Sequence, residues 1–169
     1  MISLCETDGS GRGEKMKKKK ICFAASSGGH YEQLMMLKPL MEKYDSFVVT
    51  EKTAYHSAAE GRRTYYLYQV NRREWSFPLR MAANTFRALR IILRERPDAV
   101  ITTGVLATIP LCLLIKAVGG KLIYIESFAK VTSATETGKL MYKFADQFYV
   151  QWESMKAIYP AALYLGGIY

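Results

Sequence analysis

Residues 98–127 read DAVITTGVLATIPLCLLIKAVGGKLIYIES, and this stretch decides the fold. "DAVITTG" is a compact apolar run closed by Gly104, and "KLIYIES" is a second apolar run beginning at Lys121. Between them "VLATIPLCLLIKAV" has the length and composition of a buried helix and stops at Gly119-Gly120. A strand, a covering helix and a second strand make a crossover unit whose strands lie parallel. The run from Ala99 to Ile115 carries no charge, yet it falls short of the roughly 20 residues needed to span a bilayer. Gly104 and Pro110 interrupt it as well, so strand, turn and helix is the better reading.

The alternation extends in both directions. Upstream, "KKICFAAS" reads as a strand and "HYEQLMMLKPLMEKY" as one helix with Leu34, Leu37 and Met41 on a common face. "DSFVVTEK" and "TYYLYQV" read as two more strands, followed by a long helical pattern from about Pro78 to Arg96 that Pro97 ends. Downstream come a Ser/Thr-rich loop, a helix near Gly138 to Ala145, the strand "QFYVQW" and a last short strand around "ALYLG". Strands apolar on both faces and separated by helices predict an α/β fold, a Rossmann-like parallel sheet with helices on both sides. No repeat and no long linker divides the chain, so a single domain is expected over 17–169, after a polar, glycine-containing leader at 1–16 read as disordered.

The chain has 169 residues, half of them apolar, and a formal charge of +9, which calls for an anionic partner. Cys5, Cys22 and Cys112 are odd in number and far apart. With two histidines they build neither a disulfide framework nor a zinc site, so no metal is expected and a reducing cytoplasmic compartment fits best. The lysines before Ile21–Ala25 faintly resemble a signal peptide, but the apolar run is too short and a glycine turn follows at once.

The charge is local. Nine of the ten arginines fall between Arg62 and Arg96, opposed there only by Glu74 and Glu95. At 100° per residue, Leu79, Ala82, Phe86, Leu89 and Leu93 form one stripe, which Met81, Ala88 and Ile92 widen into a broad apolar face. Arg80, Arg87, Arg90 and Arg94 gather to one side, and Trp75 and Phe77 stand just before the helix. Such a helix suits the headgroup layer of an anionic membrane; the competing reading is a core helix with a basic solvent face. No nucleic-acid motif accompanies the charge, and nucleic acid is not expected as a partner.

Three turns qualify as ligand sites, because open parallel sheets bind beyond the carboxyl ends of their strands. They are Ser26-Ser27-Gly28-Gly29-His30, the Thr102–Gly104 turn with Thr103, and the segment from Glu126 to Thr135. Small residues at a helix start leave backbone N–H groups free to hold phosphate. Neither G-x-G-x-x-G nor G-x-x-x-x-G-K-[ST] is present, so a nucleotide fingerprint is not what these turns carry. His30 alone is as readily a cap as a base, and Glu126 as readily a paired structural carboxylate.

The stretches "SSGGHYEQL", "PDAVITTGVLATIP", "IYIESFAKVTSATETGKLMYKFADQFYVQWESM" and "ALYLGGIY" follow one another as in a known group of proteins. From about Lys18 onward the chain resembles the acceptor-side, membrane-associated subunit of two-part glycosyltransferases. This group takes in the anchor subunit of asparagine-linked glycosylation and the PssD/CpsF-type proteins of bacterial capsule and exopolysaccharide assembly. The resemblance implies the N-terminal half of a GT-B glycosyltransferase, with hexosyl transfer from a UDP-sugar held by a separate donor-binding subunit and no cofactor bound by this chain. It implies that Ser26, Ser27, Gly28, Gly29, Thr103 and Gly104 hold the diphosphate of a polyprenyl-linked acceptor. His30 is then the first candidate for the base that activates the acceptor hydroxyl, and Glu126 the second. Attachment would be peripheral, on the inner face of the cell membrane through the arginine helix. The alternative is a non-catalytic scaffold that anchors a complete partner transferase.

Overall fold

The strands of the computed structural model, which describes residues 18–52, 61–104 and 106–169, are seven in number. They are β1 (Lys20–Ala24), β2 (Asp45–Glu51), β3 (Thr64–Leu67), β4 (Ala99–Thr102), β5 (Lys121–Ile125), β6 (Gln147–Val150) and β7 (Leu163–Tyr164). All pair in parallel, in the order β3-β2-β1-β4-β5-β6-β7. The chain starts at the centre, builds outward to β3, then crosses back to lay β4 on the other flank of β1. That reversal opens a crevice between the carboxyl ends of β1 and β4. The expected leader lies outside the described residues.

Each central strand is buried on both faces, as its unbroken apolar sequence requires. On one face Cys22, Ala24, Phe47, Val49, Leu122 and Tyr124 pack under α3 (Phe77–Glu95) and α4 (Ile109–Ala117). On the other, Ile21, Phe23, Val48, Ile101 and Ile123 meet Tyr31, Leu34 and Met41 from α1 (Gly29–Met35) and α2 (Lys38–Lys43). The crossover unit of residues 98–127 is observed as expected, with a 3-10 turn at Leu106–Thr108 leading into α4. Among the described residues no helix is long and apolar enough to cross a membrane.

Two element boundaries differ from the sequence expectation. The single helix expected at 30–44 is two short ones, because Pro39 has no N–H to donate to the Met35 carbonyl four residues back, and the ladder breaks between Met35 and Lys38. The helix expected from Gly138 begins at Glu136 instead, as α5 (Glu136–Met141), where the Thr135 hydroxyl accepts the Gly138 N–H and caps it.

The larger correction concerns α3. Ala88 and Ile92 do not widen the Leu79 stripe; together with Ile91 they are buried against the sheet. Ala88 is nine residues from Leu79, about 180° round the helix. The stripe itself points away from the core: Leu79 is 75%, Phe86 58% and Leu93 65% exposed. α3 therefore has two apolar faces, one packed and one bare. Ile91→Ala should cost about 2–5 kcal/mol in urea unfolding, whereas Leu93→Ala should change stability by no more than about 0.5 kcal/mol.

Candidate functional site

After β1 the chain must turn sharply to enter α1, and Gly28 makes that turn at φ 77°, ψ −147°, backbone that side chains resist. Its carbonyl accepts the N–H groups of Tyr31 and Glu32, at 2.8 and 3.1 Å. Among the described residues no side chain caps the N-terminus of α1, and a Cβ added to Gly28 or Gly29 would meet nothing within 4 Å. Ser26 is buried and turned inward, donating to the Ser27 carbonyl at 3.0 Å. The turn thus presents glycine backbone to open space.

The second turn lies beside the first, at the end of the neighbouring strand β4. Gly104 has φ 86°, and a Cβ there would run into the Tyr124 hydroxyl, so only glycine lets the chain pass. The Gly104 N–H donates to Thr102 Oγ1 at 3.2 Å, and Thr103 Oγ1 donates to the His30 carbonyl at 2.9 Å. That last bond ties the two glycine turns into one wall. The His30 ring is half-buried, and among the described residues its Nδ1 has no hydrogen-bond partner. Burial pushes its pKa below the ordinary value, only partly offset by a hydrogen bond to the Thr103 backbone and the charge of Glu126. His30 is consequently neutral near pH 7 and holds a lone pair able to take a proton.

The third turn is organised by Glu126, which is 1% exposed. Its carboxylate accepts from the Ser127 N–H at 2.9 Å, the Thr135 hydroxyl at 3.0 Å and the Tyr159 hydroxyl at 3.0 Å. Its carbonyl accepts from Gln33 Nε2 at 3.2 Å and Gln151 Nε2 at 2.8 Å. Burial and the adjacent carboxylate push the Tyr159 phenol up, so it remains a donor. Of the two candidate bases, Glu126 is the one whose oxygens are already committed. It holds a loop, whereas His30 keeps a buried Nδ1 with no hydrogen-bond partner among the described residues.

Several of these residues escaped the sequence reading. Gln33 sits one turn beyond His30 in an otherwise apolar face, a signal that a buried polar contact was needed. Thr135 followed by Glu136 is a helix-start signature. Nothing local marks Gln151 or Tyr159. Glu51, at the end of β2, is buried and accepts the backbone N–H groups of Ser27 and Val70. It joins the first turn to the segment after β3, and burial pushes its carboxyl above the ordinary range.

The arginines of α3 do not act as one group. Arg87 donates to the Tyr66 carbonyl at 3.0 Å and lies 3.7 Å over the Tyr68 ring. Arg80 donates to the Gln69 carbonyl at 3.0 Å. Between them Asn84, fully buried, takes the N–H and the carbonyl of Tyr68, both at 2.8 Å. Positions 80, 84 and 87 share a face and stitch α3 to the chain leaving β3. Arg90, 4.9 Å over Phe86, and Arg94 flank the bare stripe; Phe77 is half-buried and Trp75 fully exposed.

A Cβ on Gly138 would collide with the Glu126 carboxylate, the Thr135 hydroxyl and the Tyr159 hydroxyl. Gly138→Ala should therefore lower stability by about 1–3 kcal/mol. Gly29→Ala, with open space around it, should be neutral or stabilising by up to about 1 kcal/mol, both read from denaturant midpoints.

Residues 21–168 match the family model described as "Oligosaccharide biosynthesis protein Alg14 like". The chain is 28% identical to the "UDP-N-acetylglucosamine transferase subunit ALG14" of Mus musculus, over 88% of its own length and 82% of that protein. With the Homo sapiens protein of the same name it shares 36% identity over 84 residues, 46% of this chain and 39% of that one. Among solved structures it resembles UDP-N-acetylglucosamine 2-epimerase from Rickettsia bellii, at TM-score 0.68 and 13% identity over 89% of this chain and 45% of that one. It also resembles MurG from Acinetobacter baumannii, at TM-score 0.64 and 17% identity over 78% of this chain and 41% of that one. At those identities the likeness is one of fold, and the chain spans less than half of either solved protein. The family match, by contrast, runs from β1 to the penultimate residue: the chain belongs to the Alg14-like family of oligosaccharide biosynthesis proteins.

Proposed function

We propose that this chain is the acceptor-side subunit of a two-component glycosyltransferase that works at a membrane surface. One observation carries the reading: glycine turns with open space above them, an unpartnered histidine nitrogen and a rigid carboxylate-held loop converge on one sheet edge at the β1/β4 reversal. The relatives named as subunits of UDP-N-acetylglucosamine transferase support the two-part arrangement. The donor, a UDP-sugar, would sit on a separate subunit of the type forming the other half of a GT-B transferase.

In this reading the uncapped amides at Gly28 and Gly29 and the Thr103-Gly104 turn hold the diphosphate of a polyprenyl-linked sugar. Serine contributes less than expected, since the Ser26 hydroxyl is already spent on the Ser27 carbonyl. His30 takes the proton from the acceptor hydroxyl as that oxygen attacks the sugar carbon and the nucleoside diphosphate leaves. Glu126 stabilises the proton-bearing imidazolium from a distance and keeps the loop in place. The bare stripe of α3 with Trp75, Arg90 and Arg94 rests in the headgroup layer on the cytoplasmic side, bringing the crevice to its lipid-borne substrate.

The test is sugar transfer from UDP-N-acetylglucosamine to a polyprenyl-diphosphate-linked acceptor by the chain together with its donor subunit. His30→Ala should lower turnover by about 10²–10⁴ while the two subunits still co-purify. Near-normal turnover would move the chemistry to the partner and leave this chain a scaffold. Because the pKa of His30 is lowered, its base form persists through neutral pH. Turnover should fall only on acidification below about 6.5, and His30→Ala should abolish that acid limb.

A second test concerns the stripe. Phe86→Ser with Leu93→Ser should weaken sedimentation with anionic vesicles at least tenfold without loss of stability. Unchanged sedimentation would contradict membrane contact through α3.

A further inference from the structure

From the end of β3 onward the chain is pinned at Tyr66 by Arg87, Tyr68 by Asn84, Gln69 by Arg80 and Val70 by Glu51. The next residues close a turn of their own, the Glu74 N–H donating to the Asn71 carbonyl and the Arg73 N–H to the Asn71 side chain. A fixed loop therefore carries Arg72 and Arg73 beside the N-terminus of α3. It borders a cavity of about 550 Å³ lined by Arg72, Arg73, Glu74, Arg80 and, from the turn after Gly104, Leu106. A second cavity of about 520 Å³ shares Arg80 and adds Lys52, Tyr68 and Leu79.

The charge in this paired cavity is lopsided. Lys52, Arg72, Arg73 and Arg80 line it with one carboxylate, Glu74, and the exposed Glu136 lies within electrostatic reach of Arg72. Glu74 is already engaged by the Ser76 hydroxyl at 3.2 Å and by Arg80 at 3.5 Å. Lys52, Arg72 and Arg73 form no ion pair with a described residue. Cations held together on a braced loop repel one another, and an anion between them relieves that repulsion. Arginine forks suit phosphate oxygens in particular. The position is also telling: Leu79 opens the cavity onto the bare stripe of α3, beside the fully exposed Trp75, while Leu106 opens it toward the glycine turns.

We infer that this cavity is a phosphate site for a membrane lipid with a terminal phosphate or diphosphate. Arg72, Arg73, Arg80 and Lys52 hold the phosphate, and the chain of the lipid leaves along Leu79 toward Trp75. The lipid source rests on the membrane reading of α3; the phosphate site does not. Several convergent cations favour a doubly charged phosphomonoester or diphosphate over a singly charged phosphodiester. The cavity is separate from the Gly28 and Gly104 turns and lies on the side from which a lipid would approach them.

The test compares the wild-type chain with R72Q/R73Q, both exposed positions whose loss leaves the core untouched. Phosphatidylcholine vesicles carry either phosphatidic acid or phosphatidylglycerol at matched surface charge, and inorganic pyrophosphate is titrated separately by calorimetry. The double variant should bind phosphatidic acid vesicles about tenfold more weakly and phosphatidylglycerol vesicles within about threefold of wild type. It should also lose pyrophosphate binding. Equal losses on the two vesicles would reduce the effect to diffuse attraction and overturn the site. Pyrophosphate binding that depends on Arg72 and Arg73, with no preference for phosphatidic acid, would overturn the lipid source. If wild type binds neither vesicle, the membrane reading of α3 fails; pyrophosphate binding lost in the variant then leaves a site for soluble phosphate.

Discussion

A carboxylate that is almost wholly out of water has to be surrounded by donors, and Glu126 at the end of β5 imposes that requirement on the chain as far as Tyr159. Its oxygens gather the loop that follows, the cap of α5 and a tyrosine 33 residues away. Gly138 has to be glycine because the carboxylate occupies the place of a Cβ. Gln33 and Gln151 then clamp the Glu126 carbonyl from either side, so the loop is tied to α1 and to the end of β6 at once. The crevice owes its shape on one side to these bonds. On the other side it is shaped by the Thr103 bond to the His30 carbonyl and by Glu51 under Ser27.

In the proposed function, the parallel sheet brings the candidate chemistry and the candidate membrane face to one edge. β3 ends at the same edge as β1 and β4, and α3 starts there before running back along the outside of the sheet. The start of the helix, with Trp75 just before it and Leu79 in its first turn, therefore stands at the carboxyl-end edge of the sheet. Asn84, Arg80 and Arg87 fasten the helix to the chain leaving β3, while Leu79, Phe86 and Leu93 stay exposed. A helix that satisfies its core face with Ile91 and Ile92 needs no second apolar stripe for stability. In the proposed function that stripe meets the membrane.

The fold was legible because apolar runs such as "ICFA" and "AVIT" have no polar side, which only a doubly covered sheet tolerates. The glycine turns were legible because strand-to-helix junctions are where glycine has a backbone role. What stayed hidden depends on distance along the chain. Periodicity marks an apolar stripe on α3 but does not say which face meets the core, and Ala88 and Ile92 pack on the sheet instead. Arg87 read as a surface charge because the Tyr66 carbonyl it serves lies 21 residues earlier. Glu126 read as a possible base because Tyr159 and Gln33, which occupy it, are nowhere near it in sequence.

In the proposed function a lipid diphosphate binds at the β1/β4 reversal. Backbone amide chemical shifts of the 19.2 kDa chain in detergent micelles, followed while a short-chain polyprenyl-diphosphate-linked sugar is added, test it most directly. The account predicts saturable shifts at Gly28, Gly29, Thr103 and Gly104, with Lys121 and Asp98 at the opposite edge unmoved. Shifts centred on that opposite edge, or none in the glycine turns at saturation, would contradict it.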